Sequence, residues 1–214
     1  DRTMPPLPSR RRSSTTSARP ARAPLAPEHL LPRSLAAPET PLPEVIVRSP
    51  TWHAHLYKRR LGAFPATAKH GDLVQLKSSA GEPLGTGYYN PRAEIAVRVL
   101  SRTAGPIDEP WWEQRLQAAV SLRRDFLRLD SVTDAYRIVH AEADGLPGIV
   151  VDRFGDVLVA EVYTLGMFQR AQAVMLNLVD LTGARQWLIR PARNPLAQEG
   201  FEGSEAASIT ACAR

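Results

Sequence analysis

Short apolar runs separated by turn residues dominate the middle of the chain. Val45-Ile46-Val47 is the first, and after Gly71-Asp72 the segment Leu73-Val74-Gln75-Leu76 reads as a strand. Ser79-Ala80-Gly81-Glu82 supplies a turn, Leu84 to Tyr89 resumes the strand, and Ile95 to Leu100 follows a turn at Asn90-Pro91. Strands this short, at this spacing, predict a small β-barrel over residues 44–104. From residue 108 the period changes. Trp112, Leu116, Ala119, Val120, Arg123, Phe126 and Leu127 follow helical spacing, with Asp108 placed to cap the start and Pro110 in the first turn. A linking helix is expected within residues 105–131.

Strand patterning then returns over residues 132–203. Tyr136 to Ala141 is a strand, Asp144-Gly145-Leu146-Pro147-Gly148 a turn, and Ile149 to Phe154 pairs through Gly155-Asp156 with Val157 to Val162. A helix from about Met167 to Leu181 closes at Gly183, and Gln186 to Arg190 is a last strand. The order strand, strand, strand, helix, strand makes a second, α+β unit, followed by an irregular end at 204–214.

Residues 1–43 hold few large apolar residues, too few to offset the entropy of ordering them, and are expected to form a disordered, basic, proline-rich tail. Composition separates this tail from the rest. Residues 1–50 carry 8 basic and 4 acidic residues and 11 of the 19 prolines, leaving 19 basic and 18 acidic residues for the remainder. The formal charge of +5 invites a polyanion, yet most of the surplus lies outside the folded part. Six arginines between Arg2 and Pro27, with no acid among them, resemble an organelle transit peptide, although proline this dense opposes an amphipathic helix.

The single cysteine, Cys212, rules out an intrachain disulfide and fits a reducing compartment. No run approaches the ~18–20 apolar residues of a membrane span. A cytoplasmic protein without membrane contact is expected.

Enzymatic motifs are sparse. Glu142, Asp144, Asp152, Arg153 and Asp156 crowd one segment and could support acid/base work, but turn chemistry accounts for Asp144 and Asp156, and Asp152 with Arg153 can pair in the strand. His53 and His55 share a strand face without further ligands nearby, so no metal is expected. The glycines of Gly81-Glu-Pro-Leu-Gly85-Thr-Gly87 precede no helix and read as turn and bulge residues rather than a nucleotide cradle. What remains is a binding surface. Lys58, Arg59, Arg60, Tyr88, Tyr89, Asn90, Arg92 and Arg98 combine phosphate-pairing cations with aromatic faces on which an unpaired RNA base can stack. Alternation sends one of Tyr88 and Tyr89 inward, and the arginines can equally serve only to solvate the barrel.

The stretch GDLVQLKSSAGEPLGTGYYNPRAEIAVRVLS resembles the PUA barrel that opens the class I S-adenosylmethionine-dependent ribosomal RNA large subunit (cytosine-C5) methyltransferase I family. YRIVHAEADGLPGIVVDRFGDVLVAEV resembles the start of that family's central domain, through Glu142 to Gly148 and Asp152 to Gly155. Gln198-Glu199-Gly200-Phe201-Glu202 resembles the exit from it. The segment around Trp52 departs from the basic entry usual before the family's barrel. The resemblance implies ribosomal RNA as partner, with Tyr88, Tyr89, Asn90 and Arg92 at the RNA surface and Asp144 and Arg153 facing the cleft of a cofactor domain. In such enzymes a doubly wound catalytic domain that binds S-adenosylmethionine follows. The residues after Gly203 are too few for one βαβ unit, so this chain is expected to lack that domain and to hold no cofactor or catalytic residue of its own. Cys212 follows no matching motif and is not taken as the nucleophile. A non-enzymatic RNA-binding adaptor, or a truncated product without function, is the competing reading. A homodimer is left open, and an exposed apolar face on the α+β unit is the expected liability.

Overall fold

A computed structural model describes residues 23–38, 41–103, 105–192 and 198–200, together with the backbone of 211–212. The expected disorder of residues 1–22 and the irregular course of most of 204–214 lie outside the described residues.

The first unit is a curled five-stranded sheet of β1 (Glu44–Val47), β2 (His55–Tyr57), β3 (Leu73–Ser78), β4 (Pro83–Tyr89) and β5 (Ile95–Ser101), in the order β1-β3-β4-β5-β2. β1 runs parallel to β3, and the other neighbours are antiparallel. Curling brings the segment after β2 back onto β1. Arg48 N–H donates to the Arg60 carbonyl, and Gly62 N–H donates to that of Ile46, closing the barrel. Bulges in β3 and β4 produce the curl. At Gly87 a Cβ would stand 2.4 Å from the Arg98 carbonyl, so the glycine-rich run serves close strand approach.

The second unit is a sheet of β6 (Ala135–His140), β7 (Ile149–Phe154), β8 (Val157–Val162), β9 (Gln186–Pro191) and β10 (Ala211–Cys212), ordered β10-β9-β8-β7-β6. Between β8 and β9, which are parallel, the chain crosses over through α2 (Leu165–Phe168) and α3 (Ala171–Thr182). The single helix expected over Met167 to Leu181 is broken at Gln169 and Arg170, whose side chains are drawn into the seam between the units. Gly183 ends α3 at φ 69°, as expected of a left-handed cap.

The expected linking helix is α1 (Glu109–Ser121), capped by Asp108, whose carboxylate accepts the Trp111 N–H, and extended by a π-helical turn over Leu122–Phe126. It does more than link. Trp112, Leu116, Ala119 and Val120 are buried in the larger core, where α1 packs against α3 and β6. Beyond its outer end Phe126, Leu127 and Val132 are exposed.

Two cores result. The smaller fills the barrel with Val45, Val74, Leu76, Tyr89 and Val97. The larger joins sheet, α1 and α3 to Leu73, Tyr88 and Leu100 of the barrel wall, so the barrel is coated on one side by the second unit. The described part of residues 1–43 contradicts the expectation of disorder. Leu35 is buried in the larger core, Leu25 N–H donates to the Gly200 carbonyl, and Arg33 pairs with Asp72 at 2.5 Å. Composition counted too few apolar residues for an independent fold, but the seam between two units needs only one or two anchors.

Among the described residues no helix is long and apolar enough to cross a membrane, and no group of three His, Cys, Asp or Glu could hold a metal.

Candidate nucleic-acid interface

The Tyr88-Tyr89-Asn90 segment, expected at an RNA surface, is interior. Alternation does turn the two rings to opposite faces of β4, but both faces are covered. Tyr89 enters the barrel core, where Phe64 packs on it with ring centroids 5.6 Å apart. Tyr88 points into the seam, stacked at 6.3 Å on Trp112, with the Arg170 guanidinium 5.3 Å from its ring centre. Burial pushes the Tyr88 hydroxyl well above its usual range, against the lowering effect of Arg170. Asn90 donates to the Glu199 carboxylate at 2.7 Å and accepts from the Arg92 N–H. Neither tyrosine offers a face for base stacking, and Asn90 is buried.

The cations are placed differently. Arg59 is exposed, 5.6 Å over the Tyr57 ring, while Lys58 donates to the Arg92 carbonyl at 3.1 Å. Arg92 bonds the Ala23 carbonyl. Arg98 sits in a clasp between the units, with Nη1 2.9 Å from His55 Nε2 and 3.5 Å from Glu142 Oε1. His55 Nε2 also lies 2.8 Å from Glu142 Oε1. That single nitrogen can accept from Arg98 or donate to Glu142, not both, so whether Nε2 carries a hydrogen selects the contact. Burial raises the Glu142 carboxyl, but the His55 hydrogen bond, its own backbone N–H and the nearby cations outweigh this and hold it below the usual range. His55, Arg98, Glu142, His140 and Tyr163 line an open groove of about 360 Å³ between barrel and second unit.

Asp144 and Arg153, expected to face a cofactor domain, are internal struts. Asp144 is nearly buried, pairs with Arg123 at 2.6 Å and accepts the His140 N–H at 2.6 Å. Arg153 donates to the Gly155 carbonyl and lies 3.6 Å from Asp130. Asp152 pairs across the sheet with Arg137 rather than with Arg153.

Sequence reasoning passed over Trp52 and Arg102. Trp52 is 92% exposed, and the Arg102 guanidinium stands 5.8 Å from its ring centre. The available signal was a tryptophan in the polar run Ser49-Pro50-Thr51-Trp52-His53, with no apolar neighbour to share a core face.

A family of PUA-like domains matches residues 52–102. Ribosomal RNA large subunit methyltransferase I of Vibrio cholerae is 33% identical over 127 residues, 59% of this chain and 32% of that protein. The ribosomal RNA large subunit methyltransferase of Deinococcus radiodurans is 32% identical over 138 residues, 62% of this chain and 33% of its own length. The chain therefore spans about a third of the length of these curated relatives. Among solved structures, a protein of Streptococcus mutans described as a SAM-dependent methyltransferase superposes with TM-score 0.57 at 17% identity, covering 70% of this chain and 41% of that one. A methyltransferase complexed with SAH superposes with TM-score 0.58 at 16% identity, covering 82% and 43%. These two likenesses concern the fold.

Proposed function

We propose that the chain recognises ribosomal RNA through its PUA-like barrel, as the N-terminal and central part of an S-adenosylmethionine-dependent methyltransferase of the large ribosomal subunit. In this reading the protein works in the cytoplasm and the methyl acceptor is C5 of a cytosine. One observation carries the reading: the span matched as PUA-like, 52–102, holds four of the barrel's five strands, β2 to β5, and includes Lys58, Arg59, Arg92 and Arg98. Tyr88, Tyr89 and Asn90 act behind that surface as supports.

The described residues do not suit S-adenosylmethionine. The parallel crossover leaves β8 through Tyr163 and Thr164, and the space beside the glycine that follows, Gly166, is filled by the Tyr88 ring, so no backbone approach is left for a cofactor at this crossover. Methyl transfer in this reading draws on other residues.

Gel-shift titration with transcripts of large-subunit ribosomal RNA tests the proposal. Replacing Arg2, Arg10, Arg11, Arg12, Arg19 and Arg22 by glutamine should leave substantial affinity, whereas loss of all binding would assign it to the tail and reject the barrel. With labelled S-adenosylmethionine and the same RNA, this chain should transfer no methyl group, and robust transfer would overturn the assignment of roles.

A further inference from the structure

We propose that Trp52 and Arg102 form a platform on which one unpaired RNA base stacks, with Arg48 and Arg60, tied to the segment that leads to Trp52, as phosphate contacts. This rests on the RNA-binding reading and names the surface that performs it.

Trp52 is the most exposed large apolar side chain among the described residues and belongs to neither core. An indole left in water forgoes the stabilisation of burial, so its exposure needs a reason. The ring is nevertheless held. Arg102 lies over one face at 5.8 Å, and its Nη2 donates to the His53 carbonyl at 2.7 Å, tying the end of β5 to the loop that carries the indole. With 92% of the residue exposed, the remaining face is open. Tyr57 and Arg59 repeat the arrangement at the far end of the β2–β5 pairing: Tyr57 is 41% exposed and Arg59 stands 5.6 Å from its ring centre.

The surrounding charge favours a polyanion. Arg48 and Arg60 are joined through the barrel closure, and Arg60 Nη1 donates to the Ser49 carbonyl three residues before Trp52. Among the described residues, none of Arg48, Arg59, Arg60 and Arg102 forms an ion pair with a carboxylate. Aromatic faces backed by arginines suit a planar base joined to phosphates, and a duplex would hide that base face. An unpaired strand or loop is therefore the ligand.

The test compares a single-stranded oligoribonucleotide with a duplex of the same sequence, titrated against the full chain and its variants. Of the four tryptophans, Trp112 and Trp187 are buried and Trp111 is half-buried, so the protection from iodide quenching on RNA binding that the parent shows and Trp52→Ala lacks reports on Trp52. Trp52→Ala should weaken single-strand binding about tenfold, without changing its salt dependence, and Trp52→Phe should restore most of it. Arg48→Gln, which removes an exposed phosphate contact, should lower the slope of log affinity against log salt by about 0.7. Melting temperatures of these surface variants should match the parent. If Trp52→Ala binds as tightly as a parent that does bind RNA, or loses single-strand and duplex affinity equally, the platform is overturned while the RNA reading stands. A parent that binds no RNA removes both.

Discussion

The Arg170 guanidinium lies over the Tyr88 ring at 5.3 Å, deep in the seam where the barrel meets the second unit. Arg170 is 5% exposed and has no carboxylate within ion-pair distance among the described residues. Its Nη1 instead donates to the carbonyls of Gly71, on the barrel side, and Gly166, at α2. A buried cation so held ties the units by geometry, because the two hydrogens of one Nη reach both carbonyls while the guanidinium covers the ring.

Arg170→Met should therefore cost about 2–4 kcal/mol, since it leaves two buried carbonyls without donors. Urea unfolding followed by tryptophan fluorescence would measure this. A loss below ~1 kcal/mol would mean that water or a neighbouring group replaces the guanidinium.

Gly166→Ala should destabilise through the same seam. A Cβ at residue 166 would sit 2.6 Å from Cγ of Tyr88, whose ring is already fixed by Trp112 and Arg170. Overpacking of this kind costs about 1–3 kcal/mol. The penalty should shrink in a Tyr88→Leu background, a coupling that a double-mutant cycle on thermal melts detects.

Asp144→Ala removes the partner of the nearly buried Arg123 and the acceptor of the His140 N–H together. A loss of about 3 kcal/mol is expected. Asp144→Asn, which keeps an oxygen for that N–H, should lose roughly half as much. Equal losses for the two variants would show that the ion pair, not the turn, dominates.

Glu199 and Glu142 should respond to pH in opposite directions. Burial raises the Glu199 carboxyl above its ordinary 4.5, although bonds from Asn90 and the Leu165 N–H pull the other way. The folded state thus holds the Glu199 proton more tightly than the unfolded chain. Its stabilising contribution is full below pH ~4.5 and fades as pH rises through the folded value. Glu142, held below 4.5, stabilises above that pH and loses its contribution as pH falls through its folded value. Stability curves from pH 3 to 8 should therefore show Glu199→Gln gaining on the parent as pH rises and Glu142→Gln losing to it.

Much of the fold was legible along the chain. Asp108 and Pro110 announced α1, Gly183 announced the end of α3, and the alternation through Ile149 to Val162 announced a hairpin, because capping, left-handed turns and two-residue periodicity are local properties. The interface was less legible. Arg59 lies on the surface as expected, but Tyr88 and Tyr89 were read by alternation, which says that two neighbours face opposite ways and nothing about what covers each face.

The amino-acid order by itself thus determined which segments are strands and helices, where they turn, and which stretches resemble a PUA barrel and a methyltransferase central domain. Tertiary structure alone decided which side chains meet solvent. Packing the second unit against the barrel buried Tyr88, drew Leu35 and Arg33 out of the tail and left Trp52 in the open, while Arg123 of the π-helical turn after α1 turned Asp144 inward. Exposure depends on elements distant in the chain, and burial of apolar surface between them, rather than any local preference, sets it.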